Sequence, residues 1–301
     1  MRTISPYSVF NGPRMGTIAK LLAPPRKHKP LGFLFSSRTD SHSSWNHRLL
    51  ALKILDEVAS IGSSNPDPSV AKHLACLIRE NPDVAMPDHH HIIAAALVEK
   101  DIHGVPNVIS SFQLDTLAKR GQFLAEYTRL FLDCFIPPML KGLGFEAHGQ
   151  NVLLRLNKEG QLVGFTVRDF GGVMYHAPTV AEHTGVTVTL LEGSSIVAET
   201  SEDAYRVFFH AGIQSHLHRI IRAVGLHHNG VGWRMVRENL QRHLQGHPLL
   251  DQWLNPVVYS KSLLSMKLGG LYRDVRILLL LYLFVCFPNS FFFPFLLSKS
   301  L

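Results

Sequence analysis

Between Gly144 and Gly172 the chain gathers side chains that can do chemistry at close spacing. Residues 144–151 read Gly-Phe-Glu-Ala-His-Gly-Gln-Asn, and residues 168–172 read Arg-Asp-Phe-Gly-Gly. Glu146, Asn151 and Asp169 carry oxygen donors of the kind a hard magnesium ion accepts, usually beside phosphate oxygens and water. His148 and Arg168 supply donors for phosphate or carboxylate oxygens. Gly171 and Gly172 allow close backbone approach or positive φ. Taken singly, Glu146 and Asp169 read equally well as turn or cap residues, and His148 as a satisfied core histidine; the weight lies in the cluster. Asp-Phe-Gly alone matches the kinase triplet whose Asp holds magnesium. No Gly-x-Gly-x-x-Gly loop, Val-Ala-Ile-Lys strand or His-Arg-Asp loop accompanies it, so the triplet points to metal-bound nucleotide rather than to a kinase.

These residues need a frame. Val152–Leu156, a turn at Lys158–Gln161 and Leu162–Arg168 form a β-hairpin signature, which brings Asn151 near the start of one strand and Asp169 near the end of the next. Helical spacing of apolar residues predicts helices over Trp45–Ile61 and Val70–Glu80, stopped at Gly62–Pro66 and Asn81–Pro82. His91–Glu99 is a third apolar run. The longest helical pattern is Leu114–Leu140, with a break expected at Pro137–Pro138. Val186–Leu191 is a further strand candidate, and Ala204–Val224 and Trp233–Leu244 return to helical patterns. Helices segregated around a hairpin-containing, mostly antiparallel sheet predict an α+β fold.

Apolar residues make up 46% and charged residues 18% of the 301, as in a globular protein. The net charge of +7 suits anionic partners. The only dense basic stretch is Pro24–Lys29, and no aromatics interleave with it, so a solvated basic surface is favoured and a nucleic-acid partner is not expected. Cys76, Cys134 and Cys286 are far apart, which indicates buried thiols rather than a disulfide framework or a zinc ribbon. The N-terminus carries no continuous apolar stretch and is not read as a secretory signal.

With the motifs in hand, Phe145–Asn151 followed by Arg168–Gly172 resembles the active-site signature of the siderophore synthetases that work independently of nonribosomal peptide synthetases, the aerobactin-synthetase-like family. Met1–Ser5, Asn11–Arg14, Leu77–Pro82 and Lys261–Lys267 agree, in the family's order, so the resemblance covers about residues 1–275. It implies an ATP-dependent acid–amine ligase with a fingers remnant at 1–45, a palm at 46–275, and ATP and magnesium as cofactors. A carboxylate, citrate or a citryl intermediate, would be adenylated and passed to an amine or hydroxyl. Carried over residue by residue, Glu146, Asn151 and Asp169 would bind magnesium, and His148 and Arg168 would serve catalysis. Arg2, Thr3, Arg14, Arg26, His148 and Gln150 would contact the nucleotide phosphates, and Lys261 the substrate carboxylate. A cytoplasmic location follows from the use of ATP, and a homodimer from the family's habit. One departure is that the family carries a Thr-Ser-x-x-Arg-Thr element, of which this sequence has Arg2 and Thr3 with Met1 just before them, so the serine is absent.

The remaining candidates read as structural. Asp88 before His89–His91 is expected to cap a helix rather than to join a metal site. His210, His216, His218, His227 and His228 lack partners at zinc spacing. Trp45, Trp233 and Trp253 are expected to pack. Residues 276–301 form an apolar tail whose unbroken part, Ile277–Phe287, falls short of the ~20 residues of a membrane helix. This tail is expected to be foreign to the domain, an artefact of gene prediction, in preference to a membrane anchor. A truncated, inactive homologue is the alternative to an active ligase.

Overall fold

The computed structural model describes residues 51–67, 70, 73–185, 187, 196–255, 257–261, 268 and 276–280. The chain divides into two units, Met1–Val224 and Gly225–Leu301.

In the first unit the predicted hairpin is the centre of a four-stranded sheet. Strands β1 (Leu52–Ile54), β4 (His90–Ile93), β6 (Val152–Leu156) and β7 (Leu162–Val167) lie in the order β1-β7-β6-β4. The β6–β7 and β4–β6 pairs are antiparallel and the β1–β7 pair is parallel. The hairpin turn closes through Asn157, whose N–H donates to the Gln161 carbonyl at 3.0 Å, with Gly160 at φ +76°. Beside β7, Gly164 lets the first strand come close: a Cβ there would stand 2.1 Å from the Ala51 carbonyl oxygen.

Two smaller pairs complete the strands among the described residues of this unit. Strand β2 (Glu57–Gly62) pairs antiparallel with β3 (Ala75–Arg79), and β5 (Leu143–Gly144) with β8 (Met174–Tyr175). The short helices α1 (Pro82–Ala85), α2 (Ala94–Val98) and α3 (Asn107–Ser111) lead into α4, Leu117–Leu140. Thr116 caps α4 by accepting from the Lys119 N–H at 3.2 Å. Helix α5 (Ala177–Thr184) follows β8. Next, α6 (Ser201–Phe208) runs into a π-helical stretch, Phe209–Leu217, and on into α7, His218–Ala223.

The core of this unit is aromatic. Tyr127, Phe131 and Phe135 recur at i, i+4, i+8 and form one stripe of α4. Tyr127 and Phe131 meet Phe165 of β7 edge-on at 5.2 and 5.5 Å. Phe135 meets Phe145 at 5.8 Å and Phe208 at 5.9 Å. All six rings are essentially inaccessible to solvent, and burial of each contributes roughly 1.5–3 kcal/mol.

The second unit contains α8 (Val231–Leu244), α9 (Leu249–Leu254) and the antiparallel pair β9 (Val257–Lys261) and β10 (Arg276–Leu280). Trp233 and Trp253 are buried here, as packing residues should be. Among the described residues no helix is long and apolar enough to cross a membrane.

Several sequence expectations need correction. Where helices were expected over 45–61 and 70–80, the described residues form β1, β2 and β3. Helix α4 continues through Pro137 and Pro138, because they lie in its last turns and their neighbours Phe135, Ile136 and Met139 are buried. Packing there outweighs the lost backbone donors. Asp88 caps no helix; it pairs with Lys158 at 2.6 Å in a turn before β4. Cys76 is exposed, whereas Cys134 is buried. The first tail residues, without an evident strand period, form β10. Trp45, Cys286 and most of Val186–Leu191 lie outside the described residues.

Candidate functional site

The segment between β5 and β6 is where the chemistry gathers. Phe145 and Ala147 point into the core, while Glu146 and His148 are only half-buried. The segment forms no regular element, yet every carbonyl from Glu146 to Asn151 accepts a hydrogen bond. Glu146 O takes the His148 N–H at 2.9 Å and Asn151 Nδ2 at 3.4 Å. His148 O takes the Asn151 N–H at 2.9 Å, and Gly149 O takes the Ala95 N–H of α2 at 2.8 Å. Gln150 O receives Arg168 Nε at 3.2 Å, and Asn151 O receives the Arg168 N–H at 3.0 Å. Ala147 O is bonded from the core by His216 Nδ1 at 3.0 Å. A non-repetitive loop with its carbonyls satisfied in this way is held in one shape, which is what a binding site needs.

The hairpin register brings the second half of the motif alongside. Val152 pairs with Val167, so Asn151 and Arg168 are adjacent where the strands end. Asp169 then turns the chain at φ +68°, a left-handed conformation that Asp tolerates better than most residues. Its carboxylate accepts the Gly171 N–H at 3.3 Å. The 3₁₀ turn Phe170–Gly172 passes against Glu146: a Cβ on Gly172 would lie 2.0 Å from Glu146 Oε2.

Arg79, at the end of β3, extends the cluster. One Nη2 lies 3.3 Å from Glu57 Oε1 and 3.6 Å from Asp169 Oδ1. Glu57 is buried, and burial raises its carboxyl pKa despite the opposing pull of Arg79. Arg79 Nε is buried without a hydrogen-bond partner. Sequence reasoning did not assign Arg79 or Glu57 to the site. The available signal was an arginine ending an apolar run within Leu77–Pro82, the stretch that also contributes to the family resemblance.

Glu146, His148, Gln150 and Asn151 lie on this loop, and Arg168 and Asp169 lie at the adjoining hairpin end. Arg2, Thr3, Arg14 and Arg26 lie outside the described residues. Lys261 ends β9 in the second unit. Among the described residues no group of three or more His, Cys, Asp and Glu side chains could hold a metal. The set at this loop consists of two carboxylates and an amide. It fits a hard cation: all three donors are oxygens, Asn151 commits its nitrogen to the backbone, and Gly172 leaves space for the Glu146 carboxylate. The remaining positions would fall to water and ligand oxygens.

Comparison with known proteins follows the same residues. The profile of the family described as "Ferric iron reductase FhuF-like transporter" matches residues 121–268. The siderophore synthetase rfs of Rhizopus delemar, which works independently of nonribosomal peptide synthetases, is 33% identical over 283 residues, covering 91% of this chain and 41% of its own. The chain belongs to the NRPS-independent siderophore synthetases. It spans about two-fifths of the length of that relative. Solved structures share the fold of this chain. The petrobactin biosynthesis protein AsbB of Bacillus anthracis superposes with a TM-score of 0.63 at 19% identity, over 91% of this chain and 46% of that one. ATP-bound aerobactin synthetase IucA of Klebsiella pneumoniae does so with a TM-score of 0.56 at 19% identity, over 77% and 43%.

Proposed function

We propose that this chain carries the nucleotide-handling part of a siderophore synthetase, an ATP-dependent ligase that adenylates a carboxylate and passes the acyl group to an amine or hydroxyl. Citrate or a citryl intermediate is the first candidate carboxylate. The observation that carries this reading is the Glu146–Asn151 loop: an oxygen-rich cradle with its carbonyls satisfied, in a chain belonging to this family. The ATP bound to a synthetase of the same fold supports it.

On this reading the palm spans residues 46–275 and the end of the fingers 1–45. Glu146, Asn151 and Asp169 would hold magnesium, which would neutralise triphosphate charge when bound. His148, Gln150 and Arg168 donate to phosphate or carboxylate oxygens, with Arg2, Thr3, Arg14 and Arg26 assisting and Lys261 on the substrate carboxylate. A carboxylate oxygen forms a bond to the α-phosphorus as the bond to pyrophosphate breaks. The amine nitrogen or hydroxyl oxygen then forms a bond to the acyl carbon as AMP leaves with the electron pair. The fixed donors stabilise charge developing at the α-phosphate, and the rigid loop orients the reactants. Consumption of ATP favours a cytoplasmic setting.

The test is citrate-dependent exchange of labelled pyrophosphate into ATP, with Asp169→Ala as the comparison. Exchange in the unaltered chain that falls at least ~100-fold in the variant, the scale of a lost electrostatic contact, is the expected result. No exchange with citrate or with other polycarboxylates would overturn the adenylation reading. Exchange that survives the substitution would remove the loop from the site.

A further inference from the structure

We propose that the buried pair Tyr127 and His216 is a positioning device for the Glu146–Asn151 loop, fixing it through the Ala147 carbonyl. The proposal rests on reading that loop as the nucleotide site. The contact His216 makes with the loop is to a backbone carbonyl. Tyr127 lies on the aromatic stripe of α4, and His216 lies on the π-helical stretch between α6 and α7. Their side chains are hydrogen-bonded, Tyr127 Oη to His216 Nε2, and His216 Nδ1 stands 3.0 Å from Ala147 O. Both residues are inaccessible to solvent, at 0% and 1% exposure.

Chemistry fixes the direction of this relay. Burial pushes the His216 imidazole down to about 3 and holds the Tyr127 phenol well above its ordinary range. The imidazole is therefore neutral with one N–H, and the phenol keeps its proton. A carbonyl can only accept, so the N–H is at Nδ1 and donates to Ala147; Nε2 then accepts the tyrosine O–H. Tyr127 thereby selects the tautomer that holds the loop.

The position of this bond gives it its consequence. The carbonyls of Glu146 and His148 are satisfied within the loop, and those of Gln150 and Asn151 by Arg168. Ala147 is held by a side chain of the core instead. That bond sets the orientation of the peptide between Ala147 and His148, and so keeps Glu146 and His148 on the opposite side from buried Phe145 and Ala147. The π-helical stretch carries His216 at this point, and such stretches are often found at functional sites. The neighbouring rings, Phe131 at 4.5 Å and Tyr127 at 5.8 Å, keep the imidazole in place.

Tyr127→Phe separates this role from packing, because it removes one hydroxyl and little volume. Without that donor, the histidine can move its proton to Nε2 and release Ala147. The experiment compares amide hydrogen exchange of the full chain and of Tyr127→Phe, His216→Asn and His216→Ala, and measures pyrophosphate exchange on the same samples. Exchange across 146–151 should accelerate roughly tenfold or more in Tyr127→Phe while the middle of α4 keeps its protection. Turnover should fall ~10- to 100-fold, the scale of a small misplacement, with the citrate KM unchanged. His216→Asn, which can return an amide N–H towards Ala147, should lose less than His216→Ala. Unchanged loop protection in Tyr127→Phe would overturn the positioning role, whatever the activity. Protection lost equally throughout α4 would also overturn it, by making the pair an ordinary core contact. Absence of pyrophosphate exchange in the unaltered chain would instead overturn the nucleotide reading on which the role depends.

Discussion

Glu146 and Gly172 are in such close contact that position 172 has no room for a side chain: a Cβ there would meet Glu146 Oε2 at 2.0 Å and its Cβ at 2.8 Å. The glycine after the Asp-Phe-Gly triplet is thus set by the carboxylate across from it. Gly172→Ala should displace that carboxylate and cost ~1–3 kcal/mol of stability through overpacking. Pyrophosphate exchange should fall ~100-fold. Exchange kinetics together with a denaturant titration check both effects; wild-type turnover with a normal midpoint would show that the Glu146 position does not matter.

Arg79 spans a buried carboxylate and an exposed one, and the two should respond differently to its loss. With Arg79→Met, Glu57 loses the cation that opposes its desolvation. Its folded-state pKa, already raised, would rise further. The folded protein then holds a proton that the unfolded chain releases, so stability is greatest below the unfolded pKa and is lost as pH rises through the window up to the folded pKa. The variant should therefore be destabilised more at pH 7 than at pH 5, and Glu57→Gln on top of it should remove that slope. Urea midpoints at the two pH values would decide this; parallel losses would mean that Glu57 is not the linked group.

The pattern of success and failure in the sequence has a physical cause. The β6–β7 hairpin was legible because its signal is local: two short, largely apolar runs either side of a turn at Lys158–Gln161, with the register fixed by the turn. It delivered the Asn151–Arg168 contact and, through it, most of the loop. Leu52–Ile54 was misread as helix because its partner, β7, lies far downstream and no local pattern records a parallel pairing. The same holds for Arg79, which reaches the site only once β2 and β3 pair, and for His216. A buried histidine looks like any core histidine until the carbonyl it holds is known.

His216 also predicts acid sensitivity. Its pKa is lowered to about 3 from an ordinary 6.5, with burial the main cause, outweighing the hydrogen bond to Ala147 that favours the protonated form. Above 6.5 neither state binds the proton. As pH falls through that value, the unfolded chain takes up a proton that the folded state refuses, so stability declines steadily towards pH 3. His216→Asn should be less stable at pH 7.5 but show a shallower decline between pH 7 and 5. Chemical denaturation across that range measures the slope. A slope equal to that of the unaltered protein would assign the acid sensitivity to other histidines, such as His91 and His218, which burial also lowers.

Asp169 allows charge to be separated from backbone geometry. At φ +68°, with its carboxylate accepting the Gly171 N–H, it has both a conformational and an electrostatic part to play. Asparagine tolerates the left-handed region and keeps an acceptor oxygen for Gly171, so Asp169→Asn removes chiefly the charge. Its stability should stay within ~0.5 kcal/mol of the unaltered protein. Alanine loses the acceptor as well and should cost about 1 kcal/mol. If Asp169 holds the cation, the asparagine variant should need ~10-fold or more magnesium to reach half-maximal pyrophosphate exchange, and chelation should silence both proteins. A magnesium titration separates the possibilities: an unshifted midpoint in a folded Asp169→Asn protein would remove Asp169 from the ligand set and leave Glu146 and Asn151 to account for the metal.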